Sequence, residues 1–290
     1  MDKRYSQELI DDNVISKANS LKYSSLNYVD MEDIKEAKLI MDTDSVIFMY
    51  QNSVIKKELY WESDSNQSFQ LFWAADSIES FLNGLNKSIE YIRMAESNYD
   101  KIYIEFVPDD FLDEMGNIGF NIVSEWVDYW NMELRPKETT CRDNINIQTV
   151  SEKDISIASK ITKSCTGYSR GFTGQSEELI REWMNTENSY LFLGEVDGNV
   201  VGLCFVILYG FDSDKGIVLW IRELVVNPKY HSKGIGRRLI VHGINWGIEN
   251  GAKRSFLAVD AENINAIKLY ESLGYKRKDE RGQINMELTL

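Results

Sequence analysis

Leu219-Trp-Ile-Arg-Glu-Leu-Val-Val-Asn-Pro-Lys-Tyr-His-Ser-Lys-Gly-Ile-Gly-Arg-Arg238 is the stretch from which the rest of the chain can be read. It opens as a strand, because Trp220, Ile221, Leu224, Val225 and Val226 are apolar and several are β-branched or aromatic. Asn227-Pro228 ends the ladder, since proline lacks an N–H and restricts the residue before it. Lys233-Gly234-Ile235-Gly236 forms a short loop, and Arg237 to Glu249 carries Ile240, Ile244 and Ile248 at helical spacing. Strand, glycine loop and helix N-terminus together make a phosphate site. Glycines let successive backbone N–H groups turn toward an anion, and the helix dipole adds positive potential.

Outward from this stretch, the second half reads as mixed α/β. Ile145 to Val150 is a strand, and Ser151 caps a helix running to Lys163, with Asp154 completing part of a capping box. Thr166 to Gln175 holds Gly167, Gly171 and Gly174 with Tyr168 and Phe172, which predicts a flexible loop with aromatic tips. A helix follows over Ser176 to Met184. Tyr190 to Val196 and Val200 to Tyr209, joined by Asp197-Gly198, form a hairpin. Beyond the opening stretch come a strand at Arg254 to Val259, a helix at Asn263 to Leu273, and strands near Tyr275 to Lys278 and Ile284 to Leu290.

In the first half, strands are expected at Ser45 to Tyr50, Lys57 to Glu62, Phe69 to Trp73 and Lys101 to Val107. Asp76 to Ser97 is a helix capped by Asp76 or Ser77, Phe111 to Met115 a short helix, and Ile122 to Leu134 one long strand or a pair. Residues 1–35 are polar and are assigned nothing beyond a helix or arm. Pro136 to Asn144 is polar and serves as a linker, which gives domains at 1–140 and 141–290. Gly119-Phe120 followed by Asn131-Met132-Glu133-Leu134 repeats as Gly274-Tyr275 followed by Asn285-Met286-Glu287-Leu288. This predicts two halves that end in the same helix-turn-strand unit. The first half has no glycine cradle: Ala74-Ala75-Asp76-Ser77 stands where one would lie, and Asp76 would repel phosphate.

The net charge of −14 is carried by the first half, with 13 Lys+Arg against 27 Asp+Glu in residues 1–140 and 19 against 19 in 141–290. That argues against nucleic acid or an anionic membrane as partner and is compatible with a cationic substrate, or simply with a soluble acidic surface. The longest apolar run, Val200 to Phe211, is too short to span a bilayer. Met-Asp-Lys-Arg-Tyr-Ser-Gln-Glu predicts no signal peptide. Cys141, Cys165 and Cys204 are scattered and fit neither a disulfide framework nor a zinc site, so a reducing cytoplasm is the simplest compartment.

Two motifs carry a resemblance to a known family. His231-Ser232-Lys233-Gly234-Ile235-Gly236 follows the pattern Gln or Arg, two residues, Gly, one residue, Gly or Ala. Asn263-Ile-Asn-Ala-Ile-Lys-Leu-Tyr-Glu-Ser-Leu-Gly-Tyr275 follows a second pattern downstream. Residues 145–290 thereby resemble the GNAT superfamily of acetyl-CoA-dependent N-acetyltransferases, and the element order agrees. The resemblance implies two tandem α/β (α+β) domains, each with a mixed, mostly antiparallel sheet flanked by helices, the first a degenerate copy without the cofactor motif.

The same resemblance implies site roles. Gly234 and Gly236, with Ile235, would turn backbone N–H groups to the pyrophosphate of coenzyme A, with Ser232, Lys233 and Arg237 adding contacts, and Arg238 as well unless it is only solvated. His231 departs from the pattern, and a neutral imidazole is a weaker anion partner. Leu224, Val225 and Val226 would offer strand backbone to the pantetheine arm, where the strand splays from its neighbour, although their side chains also suit a core. Asn263 would touch the cofactor, and Tyr270, two helical turns on, would donate a proton to the leaving thiolate. Glu223 is the candidate base for the incoming ammonium, the alternative being a charge at the strand's exposed end paired with Arg222, with Asp260 and Glu262 in reserve; strand alternation puts it on the face of Ile221 and Val225. The oxyanion would meet a backbone N–H, that of Val226 being nearest. Cys204 is core. The expected reaction is direct acetyl transfer from acetyl-CoA to a primary amine on a small molecule, with no metal. An acetyl-CoA-binding sensor, or an enzyme acting on protein amino termini or lysines, is the alternative.

Overall fold

The structure, a computed structural model, describes residues 10, 12–29, 34, 37–52, 68–95, 100–138, 145–279 and 281–290. The strand expected at Lys57 to Glu62, Cys141 and most of the expected linker lie outside the described residues. In chain order the elements begin with α1 (Asp12–Ser20), β1 (Tyr23–Ser24), β2 (Lys38–Asp42), β3 (Val46–Asn52), β4 (Ser68–Ala75), α2 (Ile78–Ala95), β5 (Lys101–Ile104), α3 (Leu112–Ile118) and β6 (Asn121–Asn131). They continue with β7 (Asn146–Thr149), α4 (Ile155–Lys163), α5 (Glu177–Asn185), β8 (Ser189–Val196), β9 (Asn199–Tyr209), β10 (Val218–Val226), α6 (Ile235–Glu249), β11 (Arg254–Asp260), α7 (Ile264–Ser272), β12 (Lys276–Arg277) and β13 (Gln283–Thr289). No described helix is long and apolar enough to cross a membrane.

The chain divides into two compact units, Met1–Ser124 with Gln283–Leu290, and Glu125–Gly282. The division follows Ser124, so the stretch after it, read from sequence as part of the first half, sits in the second unit.

In the first unit, β2, β3 and β4 are antiparallel, α2 crosses over to β5 parallel to β4, and β13 closes the sheet antiparallel to β5. The core holds Phe48, Phe69, Trp73, Phe81, Leu85 and Phe111. Ser77 caps α2, its Oγ accepting the Ser80 N–H at 3.2 Å. The short β1 and the strand β2 carried no readable pattern in the sequence.

In the second unit, β7, β8, β9 and β10 are antiparallel, α6 crosses over to β11 parallel to β10, and β6 lies antiparallel to β11. α6 and α7 cover one face of the sheet, over Leu219, Ile221, Leu257 and Val259. α4 and α5 pack on the other, over Leu203, Phe205 and Val225. α6 sits close to the strands because it lacks side chains where it touches them: a Cβ on Gly247 would lie 2.7 Å from Leu219. The hairpin turn carries positive φ at Asp197 (50°) and Gly198 (76°), as a tight two-residue hairpin demands. Ser151 donates its N–H to the Asp154 carboxylate at 3.0 Å, completing the capping box.

The two stretches matched in the sequence share a local geometry. Gly119 (φ 108°) ends α3 and Gly274 (φ 88°) follows α7; buried Phe120 and Tyr275 come next. The two halves then exchange their closing strands. β6, last strand of the first half, pairs with β11 from Ser255↔Asn131 to Asp260↔Trp126, while β13 pairs with β5.

Candidate active site

A bulge in β10 shapes the site. Opposite β9, Ile221 pairs with Val206 and Glu223 with Phe205, so Arg222 is an extra residue. The bulge resets the alternation. Ile221 packs on the α6 face and Val225 on the α4–α5 face, which separates two residues that simple alternation puts together. Glu223 pairs with Phe205 and therefore shares the α4–α5 face with Val225, opposite Ile221.

β10 and β11 part company at the same level. Their parallel register ends at Trp220↔Phe256, yet β10 runs on to Val226 and β11 to Asp260. The two strands leave an open slot. Asn227 N–H bonds Val201 O on β9 at 2.8 Å, so by strand alternation the N–H groups of Val226 and Leu224 point to the slot side. The Val226 carbonyl accepts from His231 Nε2 at 2.7 Å and from the Cys165 thiol at 3.2 Å. His231 thus packs beside the slot, with the Tyr168 ring against it at 5.3 Å.

The glycine loop leads from the slot into α6. Gly234 sits at the N-cap with φ 81°, and no side chain caps the helix. The Arg238 N–H makes the bond to Gly234 O at 3.0 Å, and the backbone N–H groups ahead of it lie in the orphan first turn. A Cβ on Gly236 would touch Leu269 and Val226 at only 3.6 Å, ordinary contact, so packing does not dictate that glycine. An uncapped helix N-terminus behind bare glycine backbone fits a pyrophosphate. Ser232 adopts φ 62°, and the Lys233 ammonium lies 4.9 Å from the Tyr230 ring. Arg237 is bonded to the Ser272 hydroxyl at the end of α7.

The second motif forms α7. Asn263 is its N-cap, Oδ1 accepting the Ala266 N–H at 3.2 Å, which gives this side chain a local structural task. Tyr270 is buried; burial raises its phenol well above the usual range, and nearby Cys204 and Glu223 push it the same way. Glu223 therefore lies near enough to Tyr270 to bear on its titration. Part of the surface of Glu223 stays open, yet its carboxyl is enclosed enough that burial pushes its pKa up; Gln175, Arg222 and the Leu224 N–H oppose that shift.

Asp260, held in reserve as a base, is fully engaged. It is 1% exposed and accepts from Glu125 N–H at 3.0 Å, Glu262 N–H at 3.0 Å and Arg170 Nε at 3.0 Å. Glu262 pairs with the same Arg170 at 2.9 Å. These contacts also revise the loop expected to be flexible over Thr166 to Gln175. Thr166 Oγ1 donates to Thr173 O at 2.9 Å, Arg170 holds Asp260, and Gln175 N–H donates to Thr162 Oγ1 at 2.8 Å. Gln175 Nε2 donates to Glu223 Oε2 at 3.0 Å. Cys165, Arg170 and Gln175 were not singled out for the site from sequence. For Arg170 and Gln175 the only signal was membership of a glycine-rich segment, which marks a loop and not its destination.

The family model described as acetyltransferase (GNAT) family matches residues 159–275. A mycothiol acetyltransferase from Kocuria rhizophila is 31% identical over 98 residues, 33% of this chain and 32% of the relative. An uncharacterised N-acetyltransferase from Methanocaldococcus jannaschii is 31% identical over 97 residues, 33% of this chain and 43% of the relative. The chain thus spans less than half the length of these relatives. In fold, a GCN5-related N-acetyltransferase from Sphaerobacter thermophilus superposes with a TM-score of 0.59 at 13% identity, covering 95% of this chain and 89% of that one. A functionally unknown conserved protein from Staphylococcus epidermidis gives 0.52 at 15% identity, covering 91% and 99%. Over residues 159–275 the chain is thus similar to the acetyltransferase (GNAT) family.

Proposed function

We propose that the protein is an N-acetyltransferase that moves an acetyl group from acetyl-CoA to a primary amine on a small molecule. The observation that carries this reading is the splayed β10–β11 slot, with Glu223 and Tyr270 beside it and the uncapped α6 N-terminus at its end. The names of the partial relatives support acetyl transfer as the reaction. The cosubstrate supplies a thioester-activated acetyl group. Gly234, Ile235 and Gly236 hold its pyrophosphate through backbone N–H groups, and Ser232, Lys233 and Arg237 line that end. The Val226 N–H binds and orients the arm in the slot, while the Leu224 N–H is taken up by the Glu223 carboxylate. Glu223 takes the proton from the amine, a role that suits a carboxyl with a raised pKa, and Tyr270 gives one to the departing sulfur. Holding both reactants on one strand edge supplies proximity.

We read the first unit as the same fold with its slot filled by its own chain. β4 pairs with β5 only from Ser68↔Lys101 to Leu71↔Ile104, while β3 occupies the other edge of β4 along its length. On the edge β5 leaves, Tyr23 pairs with Ala75 and Ser24 with Ala74. Ser25 Oγ accepts the Trp73 N–H at 2.9 Å and donates to Trp73 O at 3.1 Å. The strand edge that would bind pantetheine is thus used internally, which supports a unit without cosubstrate.

The test follows free thiol release from acetyl-CoA against polyamines, aminosugars and peptides, with coenzyme A binding measured by calorimetry. Transfer to a small amine is expected. Tight binding with no release on any amine would instead favour a sensor, and release on peptides alone a protein acetyltransferase.

A further inference from the structure

Gln175 stands between α4 and α5 and is fixed from both sides of its backbone. Its carbonyl accepts from Ser159 Oγ at 2.7 Å, and its N–H donates to Thr162 Oγ1 at 2.8 Å. Both partners lie on α4, a helix packed on the sheet through buried Ile155, Ala158 and Ile161. The segment preceding Gln175 is tied down independently. Arg170 reaches the buried Asp260 at the end of β11, and the Cys165 thiol reaches Val226 O on β10. The segment therefore touches both lips of the slot. From this anchored backbone the Gln175 side chain donates to Glu223 Oε2 at 3.0 Å. The other oxygen, Oε1, accepts the Leu224 N–H at 3.3 Å.

We propose that Gln175 is a positioning residue for Glu223, holding its carboxylate in one orientation at the slot so that it meets the acceptor amine already aligned. This rests on the reading of Glu223 as the base. An amide nitrogen can only donate, so it favours the ionised carboxylate, the form that takes a proton. The remaining groups that bear on Glu223 are Arg222 on its own strand, Cys165 at the end of α4, Cys204 on β9 and Tyr270 on α7. Arg222 is a guanidinium on an exposed residue, and the other three are neutral at physiological pH. Gln175 is therefore the main neutral donor whose removal changes the carboxylate without changing net charge.

The titration itself needs no acceptor. Full-length protein labelled at the glutamate side-chain carboxyl is titrated by carbon-13 NMR, and Glu223→Gln identifies the Glu223 resonance. In Gln175→Leu the Glu223 midpoint should rise by about one pH unit, as expected when a hydrogen bond to a charged group is lost. In Gln175→Glu, which keeps the length and polarity of the side chain, the midpoint should rise as well, because two carboxyls then share the site. Coenzyme A affinity, measured by calorimetry, should stay within twofold in both. A midpoint that does not move in either variant overturns the proposal, and so does a variant that loses thermal stability while its midpoint stays at the native value. Failure of the base reading looks different: Glu223→Gln would then transfer acetyl at the native rate whatever the titration shows.

Discussion

Replacing Gly174 by alanine tests whether the α4–α5 segment is as firmly seated as its contacts imply, and Gly167 provides the control within the same segment. Both glycines have positive φ, 85° at Gly174 and 81° at Gly167, so an L side chain at either costs about 1–2 kcal/mol in backbone conformation. They differ in space. A Cβ at Gly174 would lie 2.6 Å from Lys163 Cα and 2.7 Å from Lys163 N, backbone atoms of the last residue of α4, whereas a Cβ at Gly167 meets nothing within 4 Å. A backbone clash cannot be relieved by a rotamer change, so overpacking adds about 1–3 kcal/mol at Gly174 only. The stiffening of the unfolded chain by alanine is common to both and cancels in the difference. Urea unfolding at constant m-value should therefore show Gly174→Ala less stable than Gly167→Ala by about 1–3 kcal/mol. Gln175 follows Gly174 directly, so acetyl transfer should fall in Gly174→Ala and persist in Gly167→Ala. Equal stability losses would refute the argument, since they would mean that the segment yields without resistance.

Further outcomes are expected. The Glu223 pKa is raised in the folded state, so the stability this group contributes is present at low pH and lost as pH rises through that raised value. Glu223→Gln should thus gain stability relative to the native protein as pH rises above the ordinary carboxylate range, read from urea midpoints. Tyr270→Phe should bind coenzyme A normally in calorimetry and lose roughly 10²–10⁴-fold in transfer rate, the span usual for general acid catalysis. Calorimetry should count one coenzyme A per chain, and Ser25→Ala, which strips the buried Trp73 N–H of its partner, should cost about 1–3 kcal/mol in urea unfolding.

What could be read from the sequence was what local chemistry encodes. The hairpin was legible because Asp197-Gly198 adopts the backbone its turn needs, and α6 because its apolar residues fall at helical spacing. The glycine loop and Asn263 could be placed at helix starts for the same reason. Glu223 was found, but its face was not, because a bulge adds a residue to the backbone and leaves no mark on a pattern of apolar and polar letters. Asp260 looked like a spare base because its partners, Arg170 and the Glu125 N–H, are 90 and 135 residues away. Gln175 escaped for a like reason: its link to Glu223 spans 48 residues and depends on a segment whose glycines read as freedom when they serve close contact.

The exchange of closing strands bears on how the molecule can be divided. Cutting after residue 140, where the polar composition invites it, would give a fragment 141–290 without β6. That strand contributes Val127 and Tyr129, both buried in the core under α6 and α7, and Asn131, whose Nδ2 bonds Leu273 O at 3.1 Å. Burying one such apolar side chain is worth about 1.5–3 kcal/mol, so the pair accounts for about 3–6 kcal/mol, against a total stability of about 5–15 kcal/mol for a domain. The loss also bares the edge of β11 from Ser255 to Asp260 and leaves β13 without β5, two open edges of the kind that drive aggregation. A fragment 125–282 retains Trp126 to Asn131 against β11 and ends before β13. It should unfold cooperatively and bind coenzyme A, while 141–290 should aggregate or unfold without a transition. Cooperative unfolding and native coenzyme A affinity in 141–290 would show that β6 is dispensable and that the repeat closes on itself, each half with its own last strand.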